Sequence, residues 1–551
     1  MGDSLTDKSP SAQSIRFCDG QTLRQVFQAS TVWLEKHVAL VNSLNVYPVP
    51  DGDTGTNMFL TAQAAGKELN GCADNSASGV VKALAHGALM GARGNSGVIF
   101  SQILRGMARS LDAKETMTAA DLALALEEGA ATAYKGVIKP VEGTILTVVR
   151  EAAAAATSAA KEHDDLGYVL EQVVSAARES VARTPTLLAV LREAGVVDAG
   201  GQGLFVLFEG ALRFLHGEAL EATPELAVAA DIGAPAGGYG YDVQFVIQGQ
   251  SLHVEAIRAR IAAMGESTLV VGDDTAVKVH VHVPEPGPVL DYGASLGHLS
   301  KVTVEDMQAQ YQQLYHAAPA PVVPLPPPAP VPTGNVAIVA VASGEGLSRV
   351  LQSLGASRIV PGGQTMNPAT EDILQAIEDV TADQVIVLPN NKNIVLAAQQ
   401  TRELTKKQVA IVPTHTIPQG VAALLAFNYG ADLETNCQAM ERAIAHVQTG
   451  EVTTAVRNTH VNGLQIQAGA VIGLLNGMLT ATGISTEAVV YSLLEQMAAQ
   501  EREIITLYYG QGVAPSQAEA LRQEIQQRYS RQEVELVDGG QPHYSFIISV
   551  E

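Results

Sequence analysis

At 551 residues, with 34 Lys plus Arg against 57 Asp plus Glu, the chain carries a formal net charge of −23 and is too long for a single hydrophobic core. The acidic balance, with no basic block to neutralise phosphates, excludes duplex nucleic acid and anionic membrane surfaces as expected partners. Cys18, Cys72 and Cys437 are widely spaced, with no metal-finger or disulfide framework, and neither a signal peptide nor a run of roughly 18 to 20 apolar residues is read. A cytoplasmic protein without a transmembrane segment is expected.

Helical periodicity dominates the first 220 or so residues. Leu23, Phe27, Leu34, Val38 and Val41 recur at three-to-four spacing, and similar patterns run through 78–110, 119–134, 145–160, 166–182 and 202–215. Residues 14–222 are therefore read as an all-α domain. From Gly238 the period changes: Tyr241, Val243, Phe245 and Ile247 alternate as a strand, and the order that follows to residue 306 is βαββαβ. Residues 236–316 are read as a ferredoxin-like α+β domain. The run APAPVVPLPPPAPVPT, 318–333, is stiff polyproline that cannot form a core, so 317–334 is read as a linker. Beyond it, the strands NVAIVAVA (335–342), QVIVL (384–388) and QVAIV (408–412) alternate with helical stretches, the pattern of an α/β domain over 335–551.

The stretch NVYPVPDGDTGTNM, residues 45–58, raises the question of chemistry. Pro48 and Pro50 stiffen the entry, and an extended backbone points Asp51 and Asp53 to one side, with Gly52 leaving space between them. Two convergent carboxylates suit Mg²⁺, which usually leaves its other positions to water and phosphate oxygens. Thr54 and Asn57 stand at helix-cap positions beside free amides. Asp-Gly-Asp is equally good Asx-turn chemistry, so the spacing alone leaves both readings open. GARGNSG, 91–97, sets Gly94 and Gly97 around Asn95 and Ser96 before another apolar helix, either to cradle phosphates or to let two helices approach closely. PVEGTIL (140–146) and VVDAGGQG (196–203) break helices in the same way, and four such loops can meet at one end of a bundle.

At these four loops, and at VKVHVHVPEPG, GGQTMNP and LPNNKN further on, the chain resembles the dihydroxyacetone-kinase L-type ATP-binding domain and, more closely, its longer relative, the catalytic subunit of bacterial fatty acid kinase. The resemblance implies an α-helical barrel holding Mg-ATP at its rim. It implies Asp51 and Asp53 as catalytic magnesium ligands, and Thr54, Asn57, Gly94, Asn95, Ser96 and Gly97 around the phosphates. Thr144 and Asp198 would lie near the nucleotide. The shorter kinases carry a third metal-binding aspartate before the pair, and here Asn45 is the nearest candidate. In the middle domain, His280 and His282 share one strand face, which suits zinc, acid–base chemistry or a plain solvated sheet face. The related catalytic chains often have a cysteine near this pair, and Asp242 stands at that position as a candidate ligand.

The function implied is ATP-dependent phosphorylation of a fatty acid carboxylate, presented by a separate fatty-acid-binding protein, to give an acyl-phosphate for phospholipid synthesis. Alternatives are a dihydroxyacetone-type kinase acting on a small hydroxy-ketone, and a non-catalytic ATP-sensing scaffold. Mg²⁺ and ATP are the expected cofactors, with Zn²⁺ a candidate in the middle domain. The C-terminal domain, through GGQTMNP and LPNNKN, is read as the partner-docking body, and a homodimer is expected.

Overall fold

The computed structural model describes residues 15–45, 52–137, 139–218, 241–249, 252–262, 264–272, 276–283, 285–306, 336–364, 366–461 and 463–551. Asp51 and the proline-rich run therefore lie outside the described residues. The described chain divides into two compact units. One joins the helical residues up to 221 to those from 331 onward, and the other holds the middle residues 222–330.

The helical part opens with strand β1 (Phe17–Asp19), which pairs antiparallel with β2 (Thr116–Thr118). Helix α1 (Gly20–Ser43) begins where the Asp19 carboxylate accepts from the Thr22 N–H at 2.8 Å. It is followed by α2 (Thr54–Gly71), α3 (Ala77–Met90), α4 (Gly94–Ser110), α5 (Ala119–Gly136), α6 (Ile145–Glu162), α7 (Leu166–Leu187), α8 (Ala189–Ala194) and α9 (Ala199–Leu215). From α1 to α7 each helix packs on the next in sequence, and α9 packs on both α7 and α1. Their apolar stripes meet in one Leu-, Val- and Ala-rich core in which Leu34, Met58, Leu126 and Leu146 are buried. Truncating a side chain such as Leu34 to alanine is expected to lose about 2–5 kcal/mol. The period read through 78–110 is broken at residues 91–93, so that α3 and α4 are separate helices.

The middle unit comprises β3 (Tyr241–Gln248), α10 (Val254–Ala262), β4 (Glu266–Gly272), β5 (Ala276–Val283), α11 (Pro286–Leu296) and β6 (His298–Asp306). Its antiparallel sheet has the order β4-β5-β3-β6. Val277, Val279, Val281 and Val283 are buried with Val243, Phe245 and Ile247, as strand alternation requires.

Among the described residues, the C-terminal part contains two larger sheets and a short antiparallel pair, Thr459–Val461 with Leu464–Ile466. The first is parallel, formed by β7 (Val336–Ala342), β8 (Arg358–Pro361), β9 (Gln384–Leu388) and β10 (Gln408–Ile411) in the order β10-β9-β7-β8. Helices α12 (Glu345–Ser353), α13 (Thr370–Asp379), α14 (Val395–Gln400) and α15 (Ile417–Leu425) connect or follow these strands. The chain leaves β7 for β8 on one side and then crosses to β9 and β10 on the other, so the order reverses between β7 and β9. The second sheet is six-stranded and spans Gln448–Thr454, Val471–Leu475, Met478–Gly483, Ile504–Tyr509, Glu533–Asp538 and Tyr544–Val550, all antiparallel except for one parallel pair.

The first sheet's layer meets the helical part directly. Ala92 and Val98 are buried in one cluster with Val339, Val341, Val360 and Ile373.

Candidate nucleotide and metal site

Among the described residues, four helices begin at one cleft of about 390 Å³. Thr54 and Asn57 come from the start of α2, Asn95 and Ser96 from α4, Ile145 and Leu146 from α6, and Ala199 and Gly200 from α9. The volume lies within the roughly 300–1,000 Å³ usual for small-ligand sites. Each helix N-terminus carries about half a positive charge, and the start of α4 has no side-chain cap for its first N–H groups, so their convergence suits an anion inside a strongly acidic chain. Lys139 and Lys392 add full positive charges, while Leu44, Ile99, Val137, Val141, Leu191 and Leu396 give the cleft an apolar wall.

The caps explain why the helices start here. Thr144 caps α6 by accepting from the Leu146 N–H at 3.4 Å, and Asp198 caps α9 by accepting from Gly201 N–H at 2.7 Å. Burial is the main cause that pushes the Asp198 carboxyl up to about 6, against the hydrogen bonds from Gly201 and Ile145. For α2, the expected caps Thr54 and Asn57 are helical residues instead, and Asp53 occupies the cap position without a side-chain cap bond. Asn42, on the last turn of α1, does the capping: its Oδ1 accepts from Gly55 N–H at 2.7 Å and from Thr56 N–H at 3.2 Å.

Gly94 and Gly97 serve close approach. Gly94 has φ +57°, and a Cβ there would sit 2.6 Å from Asn57 Nδ2, while one on Gly97 would sit 2.4 Å from Thr61 Oγ1. They bring α4 against α2 so that Asn95 and Ser96 reach the cleft.

Asp53 is 8% exposed, and the amide of Asn367 donates to its Oδ2 at 2.5 Å. Arg93 in turn donates to the Asn367 carbonyl at 2.8 Å. Asn45 and Asn95 line the cleft, and their Oδ1 atoms are buried without a hydrogen-bond partner among the described residues. Such orphaned acceptors call for a donor or cation. With the Asp53 carboxylate they form an oxygen-only donor set, which fits Mg²⁺. No group of three His, Cys, Asp or Glu side chains able to hold a metal occurs among the described residues.

Asn367, from GGQTMNP, meets Asp53, while Lys392 and Asn393, from LPNNKN, line the cleft. These three residues, with Asn42, Arg93 and Lys139, are not among those singled out in the sequence. The quoted motifs that contain Arg93, Asn367, Lys392 and Asn393 are the only signal for them.

In the middle unit, His282 stands in register with Asp242 on one neighbouring strand and Glu266 on the other, and His280 with Gln244 and Leu269.

Four helix starts that meet at one cleft of a helical domain, joined to an α/β domain, define a multidomain protein with a candidate anion site. Family models agree: the DAK2 domain matches residues 48–213, the middle domain of FakA-like fatty acid kinase chains matches 238–314, and their C-terminal domain matches 337–551. Protein YloV of Bacillus subtilis (strain 168) is 39% identical over 558 residues, covering 98% of this chain and 100% of that one. An uncharacterized protein of Staphylococcus aureus (strain USA300) is 38% identical over 533 residues, 94% of this chain and 96% of that one. Among solved structures, DegV, a fatty acid binding protein from Bacillus subtilis, aligns at TM-score 0.31 and 10% identity over 40% of this chain and 99% of its own, too low to carry an inference. The chain belongs to the FakA-like fatty acid kinase family.

Proposed function

We propose that the chain is the ATP-dependent kinase component that phosphorylates the carboxylate of a fatty acid presented by a separate fatty-acid-binding protein, yielding an acyl-phosphate for phospholipid synthesis. The observation that carries this reading is the meeting of four helix N-termini with the buried Asp53 in one cleft, in a chain of this family.

A fatty acid carboxylate is ionised at neutral pH, so one of its oxygens attacks the γ-phosphorus without a general base. The bond from that phosphorus to the β–γ bridging oxygen breaks, and ADP leaves. The protein's task is alignment and charge neutralisation. The N–H groups at the start of α4 hold the phosphates, with Thr54, Asn57, Asn95 and Ser96 beside them. The apolar wall takes the nucleoside, near Thr144 and Asp198. Asp53, with Asp51 and Asn45, would hold Mg²⁺, which would supply neutralisation of charge on the phosphate oxygens. In this reading the helices close as a barrel, the middle unit is a ferredoxin-like split βαββαβ domain that pairs two copies of the chain, and Asp242, His280 and His282 hold zinc. The protein works in the cytoplasm. Product analysis with ATP, Mg²⁺ and a fatty acid, with and without acyl-binding proteins of the same organism, tests the assignment. Phosphorylation of a hydroxy-ketone, or binding of ATP without turnover, would replace it.

A further inference from the structure

We propose that Lys392 binds the phosphoryl group in transfer, so that the carboxyl edge of the C-terminal parallel sheet forms one wall of the kinase site and the acceptor carboxylate arrives over that edge. The proposal rests on the kinase reading and extends it to a residue outside the helical domain.

The first support is position. Open α/β sheets collect ligands outside the carboxyl ends of their strands, at the point where strand order reverses. Here that point lies between β7 and β9, and the loop bearing Lys392 follows β9 directly.

The second is how the loop is held. Asn390 takes a left-handed conformation, φ 53°, and its Nδ2 donates to the Val341 carbonyl at the end of β7 at 2.9 Å. Its own N–H donates to Thr414 Oγ1 at 3.0 Å. Asn391 Nδ2 donates to Gln364 Oε1 at 2.5 Å, and Asn391 Oδ1 accepts from the Asn393 N–H at 2.8 Å. Two asparagines are thus committed to fixing the loop, and the residues that follow them, Lys392 and Asn393, face the cleft.

The third is what the loop meets. Asn95 Nδ2, at the start of α4, donates to Asn393 Oδ1 at 3.4 Å, which ties the loop to the phosphate-binding helix start. Lys392 shares the cleft with Asp53, Thr54 and Ser96. His415 lies close enough to feel the Lys392 charge, and burial together with that charge keeps its imidazole below the usual range, so it stays neutral near pH 7.

The chemistry asks for such a cation. Donor and acceptor are both anionic, and a flexible ammonium can follow the phosphoryl group as it passes from the β–γ bridging oxygen to the acyl oxygen. The helix starts come from the helical domain, and Lys392 adds a charge from the other body.

The experiment uses the full chain and its K392A, K392Q and K392R variants. Binding of ATP, ADP and AMP in the presence of Mg²⁺ is measured by calorimetry, and turnover is measured with an acyl-loaded binding protein. K392A is expected to bind AMP as the wild type does and ATP roughly tenfold more weakly, with kcat lowered roughly 100- to 1,000-fold and partly restored in K392R. Lys392 is exposed, so thermal stability should not change. Wild-type ATP binding with unchanged ATP affinity and kcat in K392A would overturn this proposal alone. Failure of the wild type to bind ATP would overturn the kinase reading, and this proposal with it.

Discussion

The side-chain amide of Asn367 donates to the carboxylate of Asp53 at 2.5 Å, joining residues 314 positions apart. One lies in the first loop of the helical domain and the other between a strand and a helix of the C-terminal sheet. Around this bond Arg93 grips the Asn367 backbone, and the Thr370 N–H donates to the Ala92 carbonyl at 3.2 Å. The candidate metal ligand is thereby oriented by the other body.

Replacing Asn367 with alanine should leave the buried Asp53 less well partnered, destabilising the protein by about 1–3 kcal/mol. It should also raise the Mg²⁺ concentration needed for half-maximal turnover. Denaturation curves and a magnesium titration check the two effects. Asp53→Asn should abolish transfer while the fold survives, and Asp51→Asn should do the same. Asn45→Ala should act more weakly, because a neutral oxygen holds a divalent ion less firmly. Near-normal turnover of both aspartate variants at saturating Mg²⁺ would falsify the metal assignment.

Asp198 offers a prediction in pH. Burial raises its carboxyl from the ordinary 3.8 to about 6, so between those values the folded protein keeps a proton that the unfolded chain has released. Its contribution to stability is fully present below about pH 4, falls as pH rises, and is lost above about pH 6. Asp198→Asn keeps an acceptor for the Gly201 N–H and cannot ionise. It should be more stable than the wild type at pH 7.5 by about 1–3 kcal/mol, with the difference gone near pH 4. Equal stability of the two at both pH values would contradict the placement of this carboxylate.

Much of the site can be read in the sequence because its loops carry local punctuation. Prolines before Asp51, and glycines around Ser96, Thr144 and Asp198, break apolar periods, and breaks are visible without knowing the fold. The bonds of Asn367, Asn393 and Gln400 to residues roughly 300 positions away leave no period to detect. Asn42 escapes a sequence reading for a related reason: it sits inside a helical period and caps a different helix. Within 78–110 the glycines of GARGNSG mark the break between α3 and α4, while the burial of Ala92 and Val98 against the C-terminal sheet leaves no signal of its own.

In the middle unit, the register that sets Asp242 beside His282 leads to a metal prediction. Replacing His280 and His282 together with alanine should remove bound zinc and lower transfer, with little change in melting temperature because the valines of the opposite strand face carry the core. Metal analysis of the purified protein is the check. Unchanged kinetics with unchanged metal content would leave the pair as a solvated sheet face.

The most direct measurement is acyl-phosphate formation, trapped as the hydroxamate, as a function of the concentration of a fatty-acid-loaded binding protein. The account predicts very slow product formation from ATP, Mg²⁺ and free fatty acid. It predicts a large, saturable rise in rate when the carrier is added, and loss of that rise both in Asp53→Asn and on deletion of residues 335–551. Full activity on free fatty acid without any carrier, or full activity of the deletion variant, would contradict it.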